Sequence, residues 1–148
     1  MNRIPRYHVA LVREKSVPWP ARKFSNGRDV WEFGKHLTEC ADREQFWALM
    51  LDSKNKLIGV NLVSQGSLSS AVVHPREVLK SAILLSAAAI IVIHNHISGD
   101  PAPSREDRDC TERLKSACKV VGIALLDHVI VGESDYFSFS DAQGTTPC

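Results

Sequence analysis

The chain has 148 residues, of which 44% are hydrophobic, and its formal net charge is +1 at pH 7. This composition supports one domain with a buried core, and the near-neutral charge lacks the strongly basic signature of nucleic-acid-binding domains. The longest apolar stretch, residues 82–93, is too short to span a bilayer. Because there is no secretory signal and no C-x-x-C pair, we expect a cytoplasmic protein with free thiols.

The N-terminal half is predicted to contain one helix and three strands. Pro18 and Pro20 interrupt the chain after the first predicted strand, which indicates an irregular arm. Val30, Phe33 and Leu37 then recur at helical spacing and predict an amphipathic helix. In chain order, the predicted elements are a strand over residues 7–13, the arm over 16–26, a helix over 29–39, and a two-stranded hairpin over 46–52 and 56–64.

The C-terminal half alternates helices with strands. Pro75 is well placed at the start of a helix, and Gly122 is a typical left-handed cap after the end of one. Helices between strands indicate an α/β fold whose sheet is covered on both faces. The predicted elements are a helix over residues 75–86, a strand over 89–93, a helix over 105–121, strands over 123–131 and 136–140, and a frayed end over 144–148.

Two histidines follow the apolar strand over residues 89–93, in the sequence His94-Asn95-His96. Successive side chains of a strand point to opposite faces, so the two imidazoles share a face. Asn95 points away from them and is expected to be a structural amide. Two imidazoles on one face, at the open end of a buried strand, form a candidate metal site.

A helix start follows this pair after a loop that glycine and proline keep irregular. Ser104 is a suitable N-cap, and Asp107 stands where a capping box usually has Glu or Gln. Capping alone would explain both residues. Alternatively, Asp107 faces back toward the strand and supplies a third, anionic ligand beside His94 and His96. Two histidines and one carboxylate leave a fourth position of Zn²⁺ open for water, as in hydrolytic zinc sites.

This arrangement resembles the JAMM motif of the MPN/JAB metalloprotease superfamily and, more narrowly, the RadC family. The resemblance covers about residues 42–140. Ile97 stands where the family usually has proline, a change that removes no ligand. The matching segments are Val73-His74-Pro75-Arg76-Glu77-Val78, the pattern HNH-x-SGDP-x-PS-x-x-D, residues 126–132 (LDHVIVG) and residues 136–139 (YFSF).

The resemblance implies a three-layer α/β/α fold with a mixed sheet, similar to that of cytidine deaminases. It places an MPN domain over residues 28–141, preceded by a strand and irregular arm over 1–27 and followed by a flexible tail over 142–148. It also implies a zinc-dependent hydrolase of peptide or isopeptide bonds, with zinc held by His94, His96 and Asp107. The expected substrate is a protein or peptide.

Such a hydrolase needs a proton acceptor that is not bound to the metal. The phrase R-E-x-F resembles the family's pattern and implies that Glu44, before the first hairpin strand, is this base. The same resemblance implies that Ser104 donates a hydrogen bond to the developing oxyanion. Glu77 is an alternative base, although a carboxylate in the first turn of a helix is favoured by the helix dipole alone. His74 and His128 are expected to be structural, with His128 a candidate partner of a ligand.

Two other functions remain as alternatives. One is a DNA-repair accessory role of the RadC type, with little or no protease activity. The segment before the core is short and has no basic run, so we expect no direct binding of nucleic acid. The other is a zinc deaminase, but the H-x-E and P-C-x-x-C motifs of that class are absent. No membrane association is expected, and the edges of a small sheet allow a homodimer.

Overall fold

One five-stranded sheet organises the chain in the computed structural model, which describes residues 1–66 and 73–143. None of the helices within these ranges is both long and apolar enough to cross a membrane. In chain order, the elements are α1 (Gly27–Thr38), β1 (Gln45–Leu51), β2 (Leu57–Gln65), α2 (Pro75–Leu84), β3 (Ala89–Asn95), α3 (Arg105–Val121), β4 (Ala124–Val131), β5 (Tyr136–Ser138) and α4 (Phe139–Gln143).

The sheet has the strand order β2-β1-β3-β4-β5 and is mixed. β1 pairs antiparallel with both β2 and β3, and β4 pairs antiparallel with β5. β3 and β4 are parallel, so a crossover connection is required between them. α3 makes this crossover, and the loop that enters it therefore starts at the end of β3. The mixed α/β architecture confirms the predicted fold class.

Helices cover both faces of the sheet, as predicted. Every residue of β3 is buried, which explains its continuous apolar sequence. Even-numbered residues of β1 and β3 belong to the core under α2 and α3, with Phe46, Ile90 and Val92 among them. Odd-numbered residues, such as Leu49 and Ile91, belong to the core under α1. His94 therefore continues the face that α3 covers.

The structure differs from the predicted elements mainly at their ends. The predicted strand over residues 7–13 is wrong, because these residues are exposed and pair with none of the described strands. A strand needs partners for its backbone N–H and C=O groups. β3 runs to Asn95, two residues further than predicted, because it pairs with β1 as far as His94 and with β4 as far as Asn95. The last strand, predicted over residues 136–140, ends at Ser138, and α4 begins at Phe139. Residues 144–148 lie outside the described residues.

Gly132 lies where the chain leaves β4 and passes close to the loop after β3. A Cβ atom here would lie 2.6 Å from the carbonyl oxygen of Asp135 and 2.7 Å from that of Gly99. Both oxygens are held by backbone hydrogen bonds, from Gly132 and Glu133 respectively. We expect Gly132→Ala to lower the free energy of unfolding by about 1–3 kcal/mol, measured by denaturant titration. The exposed Ser134→Ala change is the control, and equal midpoints for the two variants would contradict this expectation.

Candidate metal centre

The end of β3 brings two imidazoles together. The His94 side chain is fully buried, and that of His96 is 14% exposed. His96 lies one residue beyond the strand, and its backbone N–H donates to the carbonyl oxygen of Val131 at 3.1 Å. His96 thereby continues the line of the strand. Both rings lie on one face, as predicted, and this is the face that α3 covers. Their Nε2 atoms lie 2.9 Å apart.

Asp107 reaches the same place from the first turn of α3. The hydroxyl oxygen of Ser104 accepts from the Asp107 backbone N–H at 3.1 Å, and the Asp107 carboxylate accepts from the Ser104 N–H at 2.8 Å. This is a complete capping box. The same carboxylate faces the imidazoles, with Oδ1 3.2 Å from His94 Nε2 and Oδ2 3.3 Å from His96 Nε2. The two interpretations of Asp107 are therefore compatible, since the cap holds the carboxylate in place.

The spacing of these three side chains fits a divalent metal. Around a tetrahedral zinc ion with bonds of about 2.05 Å, neighbouring ligand atoms lie about 3.3 Å apart. Here the two imidazole nitrogens lie 2.9 Å apart, and they lie 3.2 and 3.3 Å from the two oxygens of the Asp107 carboxylate. The cluster of His94, His96 and Asp107 could therefore hold a metal ion after small shifts.

The protonation of the cluster also suits a cation. His96 Nδ1 lies 2.7 Å from the carbonyl oxygen of Asp100, which can only accept, so Nδ1 carries a proton and donates it. Burial opposes ionisation of Asp107, but the close contacts of its carboxylate with the His94 and His96 rings outweigh burial and hold the pKa of this carboxyl well below its usual range. The hydrogen bond with Asp107 raises the pKa of His96. The cluster thus keeps an ionised carboxylate facing two imidazole nitrogens.

Glu44 lies at the edge of this cluster, directly before β1. Phe46 pairs with His94 in the antiparallel register of β1 and β3, and continuing that register places Glu44 opposite His96. Side chains two residues apart share a face, so Glu44 lies on the face of the imidazoles. The negative charge of Glu44 contributes to the raised pKa of His96. The structure thus brings Glu44 near His96, one of the three candidate ligands.

Asn95 holds the backbone on both sides of Glu44. Its side-chain oxygen accepts from the Gln45 N–H at 2.7 Å, and its side-chain nitrogen donates to the carbonyl oxygen of Arg43 at 3.2 Å. Asn95 points away from the imidazoles, as the strand alternation predicts. The Asn95 amide therefore has a structural role. Its two hydrogen bonds connect the segment that carries Glu44 to the strand that carries the histidines.

Glu77 lies in a different environment from Glu44. It is exposed in the first turn of α2, and its carboxylate pairs with Lys80 at 2.7 Å. The hydrogen bond and charge of Lys80 lower the pKa of Glu77, and Arg76 and His74 add to this effect. None of these neighbours belongs to the His-His-Asp cluster. Its location is that of a solvated residue at a helix start.

Two residues lie behind the cluster, and the sequence predicted only one of them, His128, as a candidate partner of a ligand. His128 is fully buried, with Nε2 2.8 Å from His94 Nδ1, so it does contact a candidate ligand. Burial holds the pKa of His128 well below its usual value. The hydroxyl of Thr111 lies 2.7 Å from His128 Nδ1, and no sequence motif indicated a role for this residue. Its position four residues after Asp107 places it on the same face of α3, which is the signal that could have identified it.

Comparison with known proteins gives a consistent picture. Residues 24–145 match the family model of the RadC-like JAB domain. A UPF0758 protein of Symbiobacterium thermophilum is 46% identical over 134 residues, which cover 90% of this chain and 57% of that protein. A UPF0758 protein of Methanosarcina mazei is 44% identical over 135 residues, covering 91% and 59% respectively. The chain therefore spans less than two thirds of the length of these relatives, whose names state no activity.

Proposed function

The chain belongs to the family of RadC-like JAB domains, and we propose that it is a zinc-dependent hydrolase of peptide or isopeptide bonds. The observation that carries this proposal is the convergence of His94, His96 and Asp107, whose ligand atoms lie within 4.8 Å of one another. The charge of Glu44, which is not part of this set, acts on His96. Two imidazoles and one carboxylate are a donor set of catalytic zinc sites, which keep one position open.

The residues of this chain have separable roles in the proposed reaction. Zinc held by His94, His96 and Asp107 would supply an activated water and polarise the carbonyl of the substrate. Glu44 would accept the proton of the attacking water and return it to the leaving nitrogen. An amine is a poor leaving group unless it is protonated, so the return of this proton is as necessary as its removal.

Ser104 has the chemistry to stabilise the developing oxyanion. Its hydroxyl oxygen accepts from the Asp107 N–H, so the hydroxyl proton can still be donated. The residue is exposed at the start of α3, next to Asp107, where a substrate can approach it. Loss of one such donor typically raises the barrier by about 3 kcal/mol. Capping and oxyanion stabilisation thus use different parts of the same hydroxyl group.

The test is hydrolysis of model peptide and isopeptide substrates by the purified protein. We expect the zinc-loaded protein to cleave such a substrate, to lose activity on chelation and to regain it when zinc is restored. Asp109→Asn is the matched control and should keep this zinc-dependent activity. Its exposed carboxylate lies two residues from Asp107 and pairs with Arg105 instead. Cleavage that survives chelation would contradict the proposal. So would zinc-loaded protein that cleaves none of the substrates, a result that would favour an accessory role.

A further inference from the structure

A chain of three hydrogen bonds connects two of the proposed ligands on the side of the cluster away from solvent. His94 Nδ1 lies 2.8 Å from His128 Nε2, and His128 Nδ1 lies 2.7 Å from the hydroxyl of Thr111. That hydroxyl lies 2.7 Å from the backbone carbonyl oxygen of Asp107. All four residues are buried, with at most 5% exposed. This series of hydrogen bonds therefore links β3, β4 and α3 without access to solvent.

The direction of these bonds follows from the Asp107 end. A carbonyl oxygen can only accept, so the single hydroxyl proton of Thr111 is donated to Asp107. Toward His128, the Thr111 oxygen must then act as acceptor. His128 Nδ1 therefore carries a proton, and this assignment needs no assumption about the metal.

The direction continues through His128 to His94. The His128 ring packs between Phe46 and Phe139, with ring centroids 5.6 and 5.0 Å away, and an apolar environment favours the neutral imidazole. A neutral ring with its proton on Nδ1 presents a lone pair at Nε2. His94 must donate its Nδ1 proton to that lone pair, which leaves the Nε2 lone pair of His94 facing His96 and Asp107.

We propose that Thr111 and His128 are positioning residues that hold His94 in the Nδ1–H tautomer, with Nε2 ready to bind the metal. The hydrogen bond at one ring nitrogen decides which nitrogen is free to act as ligand. We call Thr111 and His128 the relay. Because Thr111 donates to the backbone carbonyl oxygen of Asp107, the relay connects this ligand with His94. This inference rests on the proposed function only in that the metal binds at His94.

The isosteric change Thr111→Val separates this role from simple packing. Valine keeps the branched shape but cannot accept the proton of His128 Nδ1. The His128 proton then moves to Nε2, His94 Nδ1 becomes the acceptor, and the His94 proton comes to occupy the position of the metal. Thr111→Ser retains the hydroxyl and should restore the original arrangement. If Thr111 were needed for packing alone, its replacement by valine would not change the tautomers of His94 and His128.

Long-range ¹H–¹⁵N correlation spectra of the histidine rings measure the tautomers directly, in metal-free protein. We expect His94 and His128 of the wild type and of Thr111→Ser to carry their protons on Nδ1, and both to shift to Nε2 in Thr111→Val. A wild-type His94 with its proton on Nε2 would overturn the proposal, even if the valine variant did not fold. Unchanged tautomers in a folded Thr111→Val would overturn it as well.

Zinc affinity, measured by competition with a chromophoric chelator, is the second readout. We expect Thr111→Val to bind zinc about 10–100-fold more weakly than wild type, and Thr111→Ser to bind nearly as well as wild type. Thr38→Val is the matched control, because the Thr38 hydroxyl also donates to a carbonyl four residues earlier, that of Gly34, in α1. Equal affinities for the two valine variants would contradict the relay. Failure of the wild type to bind zinc would instead contradict the proposed function, and the tautomer spectra would still test the relay.

Discussion

Replacement of His94 by alanine should remove zinc from the protein. The His94 ring is fully buried, and its Nε2 atom lies 2.9 Å from His96 Nε2 and 3.2 Å from the Asp107 carboxylate. Its loss leaves two ligands and a cavity. The affinity for zinc should therefore fall by more than the roughly 10–100-fold that is typical when the hydrogen-bond partner of a ligand is lost. Elemental analysis of protein purified without chelators should show about one zinc per wild-type chain and none in the variant.

Asp107→Asn tests the anionic ligand without removing the helix cap. The asparagine side chain can still accept from the Ser104 N–H, so α3 should keep its start, whereas the negative charge that attracts the cation is lost. We expect weaker zinc binding with little change in unfolding. His36→Ala, at an exposed histidine of α1, is the control and should keep its zinc. Full zinc content in His94→Ala would refute the assignment of His94 as a ligand. Wild-type protein that takes up no zinc on titration would refute the metal site itself.

Glu44→Gln should separate metal binding from turnover. Glutamine has nearly the shape of glutamate but cannot take the proton of the attacking water, so hydrolysis should fall by roughly 10²–10⁴-fold. Zinc content should stay at the wild-type level, because Glu44 is not one of the three ligands. The measurements are zinc content and turnover of the same model substrate, made in parallel on wild type and variant.

Glu77→Gln is the comparison that decides between the two candidate bases. Glu77 is exposed and pairs with Lys80, so its replacement should leave both zinc content and turnover close to wild type. If this variant lost turnover while Glu44→Gln retained it, the general base would be Glu77. Retention of turnover by both variants would remove the role of general base from both residues.

Features that depend on neighbours in sequence were determined by the sequence alone. The bounds of α3 agree with the prediction, because Ser104 before the helix and Gly122 after it act within one turn of its ends. The three proposed ligands lie within residues 94–107, a strand end, a loop and a helix start. Strand alternation is enough to put His94 and His96 on one face. A first-turn position allows Asp107 to point toward them, although the sequence alone left helix capping as the alternative.

Only the tertiary structure decided the features that join distant segments. Residues 7–13 form no strand, because a strand needs a neighbouring strand for its backbone hydrogen bonds. The local sequence pattern does not show whether such a neighbour is available. The position of Glu44 opposite His96 depends on the antiparallel register of β1 and β3. His128 and Thr111 meet behind His94 because the β3–α3–β4 crossover stacks three segments. Directed hydrogen bonds between such segments arise from three-dimensional packing, which periodicity along the chain cannot specify.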